Sequence, residues 1–228
     1  MTKRKRCDFT TLIVLTTNPY LVRQFDLTRV ASPPIAEAEA WLKSSNAALD
    51  LEIGCGVGWH PIRYARENPE RRLIAIEHTR AKFERFRSRL LAHPELSNLF
   101  PVHADAIRWI ANHLQANSIE LCFLLYPNPE PKAPNRRWLR SPFMHHLLKA
   151  IKPGGVLALA SNERWYIDEA CEWAERFWKL DSPLIKEINA STTPAHQART
   201  HFEKKYLLRG QTCFDVQWHI RKGNKENA

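Results

Sequence analysis

Ala48-Leu49-Asp50-Leu51-Glu52-Ile53-Gly54-Cys55-Gly56-Val57-Gly58-Trp59 is the stretch whose reading decides the fold. A mainly apolar run gives way to glycines at alternate positions, and a segment of helical character over 59–67 follows. That order predicts strand, glycine turn and helix. Glycine is required where the backbone takes a positive φ or where a ligand must approach the main chain, because a Cβ would collide there.

Further along, a second apolar strand over 72–77 ends in Glu77, with His78 next. A carboxylate about 20 residues after the glycines is where a βαβ nucleotide fold accepts hydrogen bonds from a ribose diol. The dinucleotide fingerprint places its glycines first, third and sixth. Here an acid precedes the first of them, as Glu52-x-Gly54-x-Gly56-x-Gly58. Glu52 would repel a pyrophosphate and suits a cationic ligand such as a sulfonium or an α-amino group. The pattern resembles the S-adenosylmethionine loop of Rossmann-like methyltransferases.

Length and charge narrow the class. A chain of 228 residues supports one α/β domain with a full core. The excess of 34 Lys and Arg over 24 Asp and Glu, net +10, favours a polyanionic partner such as nucleic acid or an acidic membrane face. Because no apolar run approaches the ~20 residues of a membrane span and Leu12–Leu15 is too short for a signal-peptide core, the expectation is a soluble, cytoplasmic protein. The 5 cysteines are scattered, with no Cys-x-x-Cys, and predict buried thiols in a reducing compartment. Adjacent His145 and His146 point about 100° apart on a helix and make no metal pair, so no metal is expected. His60 is read as a helix-surface or packing residue rather than a base.

Residues 1–47 are expected to form a basic arm carrying Lys3, Arg4, Lys5 and Arg6, an extended segment from Phe9 to Leu15, and a lead-in helix over 35–43 started by Ser32-Pro33-Pro34. From Ala48 the pattern alternates: strands over 48–53, 72–77, 99–103, 119–125 and 155–160, with helices over 59–67, 79–92, 106–115, 141–152 and 164–179. This predicts a mostly parallel sheet covered on both faces. Past Leu184 the helical rhythm stops, and 185–189 and 213–221 read as a closing strand pair. The domain is expected to span 48–221, with a disordered tail over 222–228.

His103-Ala104-Asp105-Ala106 lies where the third strand turns into a helix, so Asp105 and Ala106 are candidates for the adenine end of the cofactor, Asp105 also being a favoured N-cap. The most unusual segment follows the fourth strand: Tyr126-Pro127-Asn128-Pro129-Glu130-Pro131-Lys132-Ala133-Pro134-Asn135-Arg136-Arg137. Its prolines stiffen the loop and fix Asn128 and Glu130 at low entropic cost. Arg136, Arg137 and Arg140 form a basic cluster suited to phosphate.

These motifs resemble those of the bacterial tRNA (guanine-N7-)-methyltransferases, a family of class I S-adenosylmethionine-dependent enzymes. That family carries a Phe-Pro-Asp-Pro-Trp-Pro-Lys loop with a basic run after the fourth strand, Thr-Asp-Trp-Glu after the fifth and Thr-Lys-Phe-Glu near the end. The corresponding residues are Tyr126 to Lys132 with Arg136-Arg137, then Ser161-Asn162-Glu163, then Thr200-His201-Phe202-Glu203. The resemblance implies S-adenosylmethionine held by the Glu52, Gly54, Gly56, Gly58, Glu77, His78, Asp105 and Ala106 positions, and tRNA as substrate. It places Asn128 at the catalytic Asp, and substrate contacts at Lys132, Arg136, Arg137, Asn162, Thr200, His201, Phe202 and Glu203. Whether the protein is a monomer or a homodimer stays open.

Three departures matter: the loop Asp is Asn128, the loop Trp is Glu130, and the later Asp is Asn162. A carboxylate accepts from both N1–H and the exocyclic amine of guanine, whereas an amide offers one acceptor and one donor. Glu130 is a candidate substitute acceptor, and Lys132 a candidate partner that would neutralise it. Two alternatives therefore stand beside guanine N7 methylation. One is an RNA-binding paralogue without turnover. The other is methylation of another nucleobase atom, since Asn128-Pro129-x-Pro131 partly resembles the Asn-Pro-Pro-aromatic loop of amino-group methyltransferases.

Overall fold

The computed structural model describes residues 25, 26 and 36–221. The expected basic arm, the 9–15 segment, the Ser32-Pro33-Pro34 helix start and the tail over 222–228 lie outside them. Strands β1 (Leu49–Ile53), β2 (Arg72–Glu77), β3 (Leu99–His103), β4 (Ile119–Leu125), β5 (Ile151–Ser161), β6 (Leu184–Ile188) and β7 (Cys213–His219) form one sheet in the order β3-β2-β1-β4-β5-β7-β6. The first five run parallel, and β7 lies antiparallel between β5 and β6. The sheet is thus mostly parallel but mixed at one edge.

Helices cover both faces, as α/β alternation requires. Leu51, Ile53, Ile74 and Ile76 join one large core with Trp109 and Ile110 of α4 (Ala106–His113), Leu147 of α5 (Met144–Ala150) and Trp173 of α6 (Arg164–Arg176). α1 (Ala36–Lys43) adds Ala38 to it. On the other face Leu73 and Ala75 pack under Ile62 of α2 (Trp59–Glu67) and Phe86 of α3 (Arg80–Leu90).

Two expectations need correction. A helix, α7 (His201–Leu208), stands where the helical rhythm was expected to have ended. It is short, its apolar stripe is thin, and it is started by Thr200, whose hydroxyl accepts from the Glu203 amide. The helix expected over 141–152 is confined to Met144–Ala150, and β5 begins at Ile151 rather than near 155. Pro142 precedes the first helical turn, and the chain enters the sheet through Lys152-Pro153-Gly154-Gly155, where a Cβ on Gly155 would press on the Glu120 carbonyl.

β1 sets the site because its alternate residues face α2. Asp50 and Glu52 are both buried, and a buried carboxylate needs partners. Asp50 accepts from Tyr64 Oη at 2.6 Å and from Arg71 Nε at 2.7 Å. Glu52 Oε2 lies 2.8 Å from His60 Nδ1. His60 and Tyr64 are one helical turn apart, so one face of α2 covers both acids, with Phe123 of β4 against both rings.

Candidate active site

The carboxyl ends of β1, β2 and β4 meet at one crevice, the expected place for ligands in a sheet whose strand order reverses beside β1. The turn after β1 has Gly54, Gly56 and Gly58 at φ of 77°, 62° and 81°. A Cβ on Gly58 would overlap the Phe86 ring, so this glycine allows α2 to sit on α3. A Cβ on Gly54 or Gly56 would meet nothing within 4 Å. Those two leave main chain bare toward open space, the requirement for a ligand to lie against it.

Glu77 braces this turn. Its Oε2 accepts from the Gly56 amide at 2.8 Å, and its Oε1 accepts from the Thr79 amide at 2.7 Å. A carboxylate has about four acceptor positions, so both oxygens keep capacity for hydroxyls. Cys55, between the two acids, is buried, and desolvation followed by the charges of Glu52 and Glu77 pushes its thiol well up, so it is an inert neutral wall. His78 is exposed, and its carbonyl lies 3.2 Å from His103 Nε2. Asp105 is exposed and caps α4, accepting from the Arg108 amide at 3.0 Å, with Ala106 as the first helical residue.

A cavity of about 120 Å³ joins the glycine turn to the far end of the chain, lined among others by Glu52, Gly54, Gly56, Trp59, Thr200 and Phe202. His201 lines it too and meets the Trp59 ring edge-on, centroids 5.6 Å apart. Thr200, His201 and Phe202 are thereby brought beside the turn, although more than a hundred residues separate them in sequence. One larger cleft, of about 460 Å³ near Leu42 and Asn112, opens at the opposite ends of the strands.

Glu203 does not reach this cavity. It is 1% exposed, accepts from Tyr126 Oη at 2.8 Å and from the Arg199 amide at 2.9 Å, and pairs with the Arg199 guanidinium at 3.2 Å. Arg199 also pairs with Asp215 at 2.9 Å. Burial alone would favour loss of the guanidinium proton, but Asp215 and Glu203 outweigh it and hold the pKa up. The expected substrate role of Glu203 is therefore replaced by a structural one: it fastens the loop that follows β4, Tyr126 to Arg137, to α7. Arg199 and Tyr126 were not identified from sequence as site residues. The clue was the i, i+4 pairing of Arg199 with Glu203 and a phenol where the family has phenylalanine.

The basic cluster also divides. Arg136 is exposed, and its side chain has no partner among the described residues. Arg137 is buried: its Nη1 donates to Glu169 at 2.6 Å, while Nε and Nη2 donate to the carbonyls of Pro129, Glu130 and Pro131. Arg140 takes the same Glu169 carboxylate at 3.1 Å. Arg137 is therefore corrected from phosphate contact to internal brace, because a proline-rich loop supplies carbonyls without matching N–H donors and the guanidinium satisfies them.

Asn128 is exposed. Its Nδ2 donates to Glu130 Oε1 at 3.0 Å, and its Oδ1 accepts from the Glu130 amide at 3.3 Å. Glu130 holds φ at 46°, a left-handed geometry rarely taken by a non-glycine residue. Lys132 is exposed, and the side chain that meets the Glu130 carboxylate is Asn128. Asn162 is half-buried and donates to Glu163 Oε1 at 3.2 Å. Among the described residues no group of His, Cys, Asp and Glu could hold a metal ion, and no helix is long and apolar enough to cross a membrane.

The chain is similar to several proteins of known name or structure. A 28% identical relative, the tRNA (guanine-N(7)-)-methyltransferase of Neisseria gonorrhoeae (strain NCCP11945), aligns over 79% of this chain and 75% of its own. The proteins of that name from Helicobacter pylori, 26% identical, and Wolinella succinogenes, 30% identical, align over 79% and 69% of this chain but only 45% and 40% of theirs. The chain thus spans under half the length of those two. Among solved structures, an antibiotic-related methyltransferase superposes with a TM-score of 0.62 at 15% identity, covering 84% of this chain and 98% of that one. The 16S rRNA methyltransferase KamB gives 0.60 at 19%, covering 83% and 95%. The fold is that of the Rossmann-like class I methyltransferases, and because the model described as "Putative methyltransferase" matches residues 46–216, the chain belongs to that methyltransferase family.

Proposed function

We propose that the protein transfers the methyl group of S-adenosylmethionine to N7 of a guanine in tRNA. The observation that carries this reading is the single cavity in which the acid-rimmed glycine turn meets Thr200, His201 and Phe202. The residues present fit the cofactor: Gly54 and Gly56 leave the cradle that a Cβ would fill, Glu77 keeps free acceptor positions for a ribose diol, and Glu52 supplies negative charge for a cationic centre. When bound, the cofactor supplies an electrophilic methyl on a sulfonium. Asp105 and Ala106 are assigned to the adenine, beside His78. The named relatives act on tRNA guanine N7, and the charge of +10 suits an RNA substrate.

Guanine N7 carries a free lone pair, so no side chain has to remove a proton. The chain's residues need only hold the purine with N7 in line with the methyl and keep water out. Replacing the family's Asp by Asn128 is compatible with that chemistry. Asn128 and Glu130 act as one unit: the amide donates to the carboxylate and fixes it, leaving Glu130 Oε2 to accept from the guanine Watson–Crick edge. Arg137, by tying three loop carbonyls to Glu169, keeps that unit on α6.

A second reading, an RNA-binding relative without turnover, is favoured by the same Asn128, whose amide is already engaged within the loop. One assay separates the two. Labelled methyl transfer to total tRNA, followed by nucleoside mass spectrometry, is expected to give 7-methylguanosine. Label in another nucleoside would move the target atom, and tRNA binding with no label in any nucleoside would establish the second reading.

A further inference from the structure

We propose that the face formed by α2 and α3 is a track for the RNA phosphate backbone, entering the reaction cavity past Trp59. The inference rests on the tRNA reading above and names where that substrate is gripped. Its starting point is the weakening of the expected grip: Arg137 and Arg140 are both spent on Glu169, which leaves Lys132 and Arg136 as the exposed cations of the loop after β4. The positive charge needed to hold an RNA has to be presented elsewhere.

α3 reads Arg-Ala-Lys-Phe-Glu-Arg-Phe-Arg-Ser-Arg-Leu from Arg80 to Leu90. Arg80, Lys82, Arg85, Arg87 and Arg89 are all exposed. The helix buries Phe86 and offers a single acid, Glu84, which pairs with Arg87 at 2.8 Å. Beside it, α2 presents Arg63 and Arg66, both exposed. Glu67 offsets Arg63 at 2.8 Å, and Glu95 lies 3.4 Å from His93. Arg66, Arg80, Lys82, Arg85 and Arg89 have no carboxylate partner among the described residues. A solvated helix face ordinarily balances its charges, whereas on this one the cations outnumber Glu67, Glu84 and Glu95.

Between the two helices runs an open cleft of about 420 Å³, lined by Trp59, Arg63, Arg66, Arg89, His93 and His196 among others. Arg63 is shared with Glu67, and Arg199, also on the lining, is spent on Glu203 and Asp215, but Arg63, Arg66 and Arg89 each also contact a group other than a carboxylate. Arg89 donates to the Val57 carbonyl at 3.0 Å, Arg63 donates to the Gln197 carbonyl at 3.0 Å, and Arg66 rests on the His93 ring at 3.3 Å. Such bonds orient a guanidinium without neutralising it, so its remaining N–H groups stay available for phosphate oxygens.

Trp59 joins this cleft to the reaction cavity, because its ring lines both. It is 40% exposed, unusual for an indole in a packed domain. Lys204 Nζ lies 5.5 Å from the ring centroid on the α7 side. An exposed indole flanked by cations at the junction is a platform on which a base stacks while the adjoining phosphates lie on the arginines. The arginine track then positions the strand, and the loop after β4 selects the base.

The test uses the full chain carrying Arg63→Gln, Arg66→Gln and Arg89→Gln together. Binding to unfractionated tRNA is measured across a salt series, with S-adenosylmethionine affinity and thermal unfolding as checks on the fold. Each lost phosphate contact should lower the salt slope by roughly 0.7–0.9, and affinity at moderate salt should fall tenfold or more, with cofactor affinity unchanged. Hydrogen exchange on the unaltered protein gives a second measurement that needs no variant: added tRNA should protect the amides of 59–67 and 80–93. A variant that keeps the wild-type slope, or protection confined to 126–137, would overturn the track. Failure of the wild-type protein to bind tRNA at all would instead remove the function on which it rests.

Discussion

Tyr126 Oη and Glu203 Oε2 lie 2.8 Å apart, joining the start of the loop after β4 to α7 across 77 residues of chain. Burial and the Glu203 charge push the phenol pKa far up, so Tyr126 stays a donor at every working pH. Tyr126→Phe removes one donor while Arg199 continues to hold the carboxylate, and the expected loss is about 1 kcal/mol of stability. Glu203→Ala leaves Arg199 in a buried setting with one partner fewer, and about 3–5 kcal/mol is expected. Chemical denaturation of both variants checks this ranking, and equal losses would show that the ion pair, not the phenol contact, carries little.

Gly56 and Gly58 should respond differently to alanine. At Gly58 the new methyl overlaps Phe86 and the backbone sits at φ 81°, so Gly58→Ala is expected to cost about 2–4 kcal/mol of stability. At Gly56 no protein atom opposes the methyl, and only the strain of about 1 kcal/mol at φ 62° should appear in unfolding. There the cradle itself is filled, so S-adenosylmethionine affinity by calorimetry should fall at least tenfold. A Gly56→Ala protein that binds the cofactor as the wild type does would place the ligand elsewhere.

The two neighbouring arginines give an opposite pair. Arg137→Ala strips three loop carbonyls and Glu169 of a shared donor, and a loss of about 2–4 kcal/mol is expected in thermal unfolding. Arg136→Ala should unfold as the wild type does, within about 0.5 kcal/mol. If Arg136→Ala were the more destabilising, the brace assigned to Arg137 would be wrong.

Burial, together with His145 and Lys149, holds His146 below its ordinary 6.5, and its Nε2 has no hydrogen-bond partner. Burial lowers His113 and, with Lys149, His145 as well. The unfolded chain therefore binds protons more readily than the folded one. Stability should be fully present above about pH 6.5 and fall as the pH is lowered through the folded pKa values. His146 packs against Phe143, ring centroids 5.8 Å apart, so His146→Phe should flatten the fall in midpoint between about pH 7 and pH 5. An unchanged slope would show that His146 does not titrate in that window.

Much of the sheet was legible because β1 runs straight into Gly54, β2 is an apolar run ended by Glu77, and β4 is an apolar run ended by Tyr126-Pro127, so composition and boundary residues agree there. The helix α7 was not, since Phe202, Tyr206 and Leu207 make too thin a stripe over eight residues, and its stability comes from the Thr200 cap and the Arg199–Glu203 pair. The cofactor-side acids were legible because the spacing of Glu52 and Glu77 about the glycines is local. What Arg137 and Glu203 do was not, because their partners, Glu169 and Tyr126, are brought to them only by the fold. For His60 the sequence left surface or packing open; it packs against Phe123 while also meeting Glu52, a pairing that follows from α2 crossing β1.

β7 is inserted between β5 and β6, although both of those precede it in the chain. Until Cys213–His219 has been made, β6 has no neighbour to pair with and Arg199 lacks Asp215. The wall that carries Thr200, His201 and Phe202 hangs between these two strands, so a ribosome-bound chain would hold a finished glycine turn facing an unbuilt opposite side. The far wall of the cavity can thus be fastened only after the glycine turn opposite it is complete, and β7, pairing with β5 and β6 at once, is the keystone that holds it.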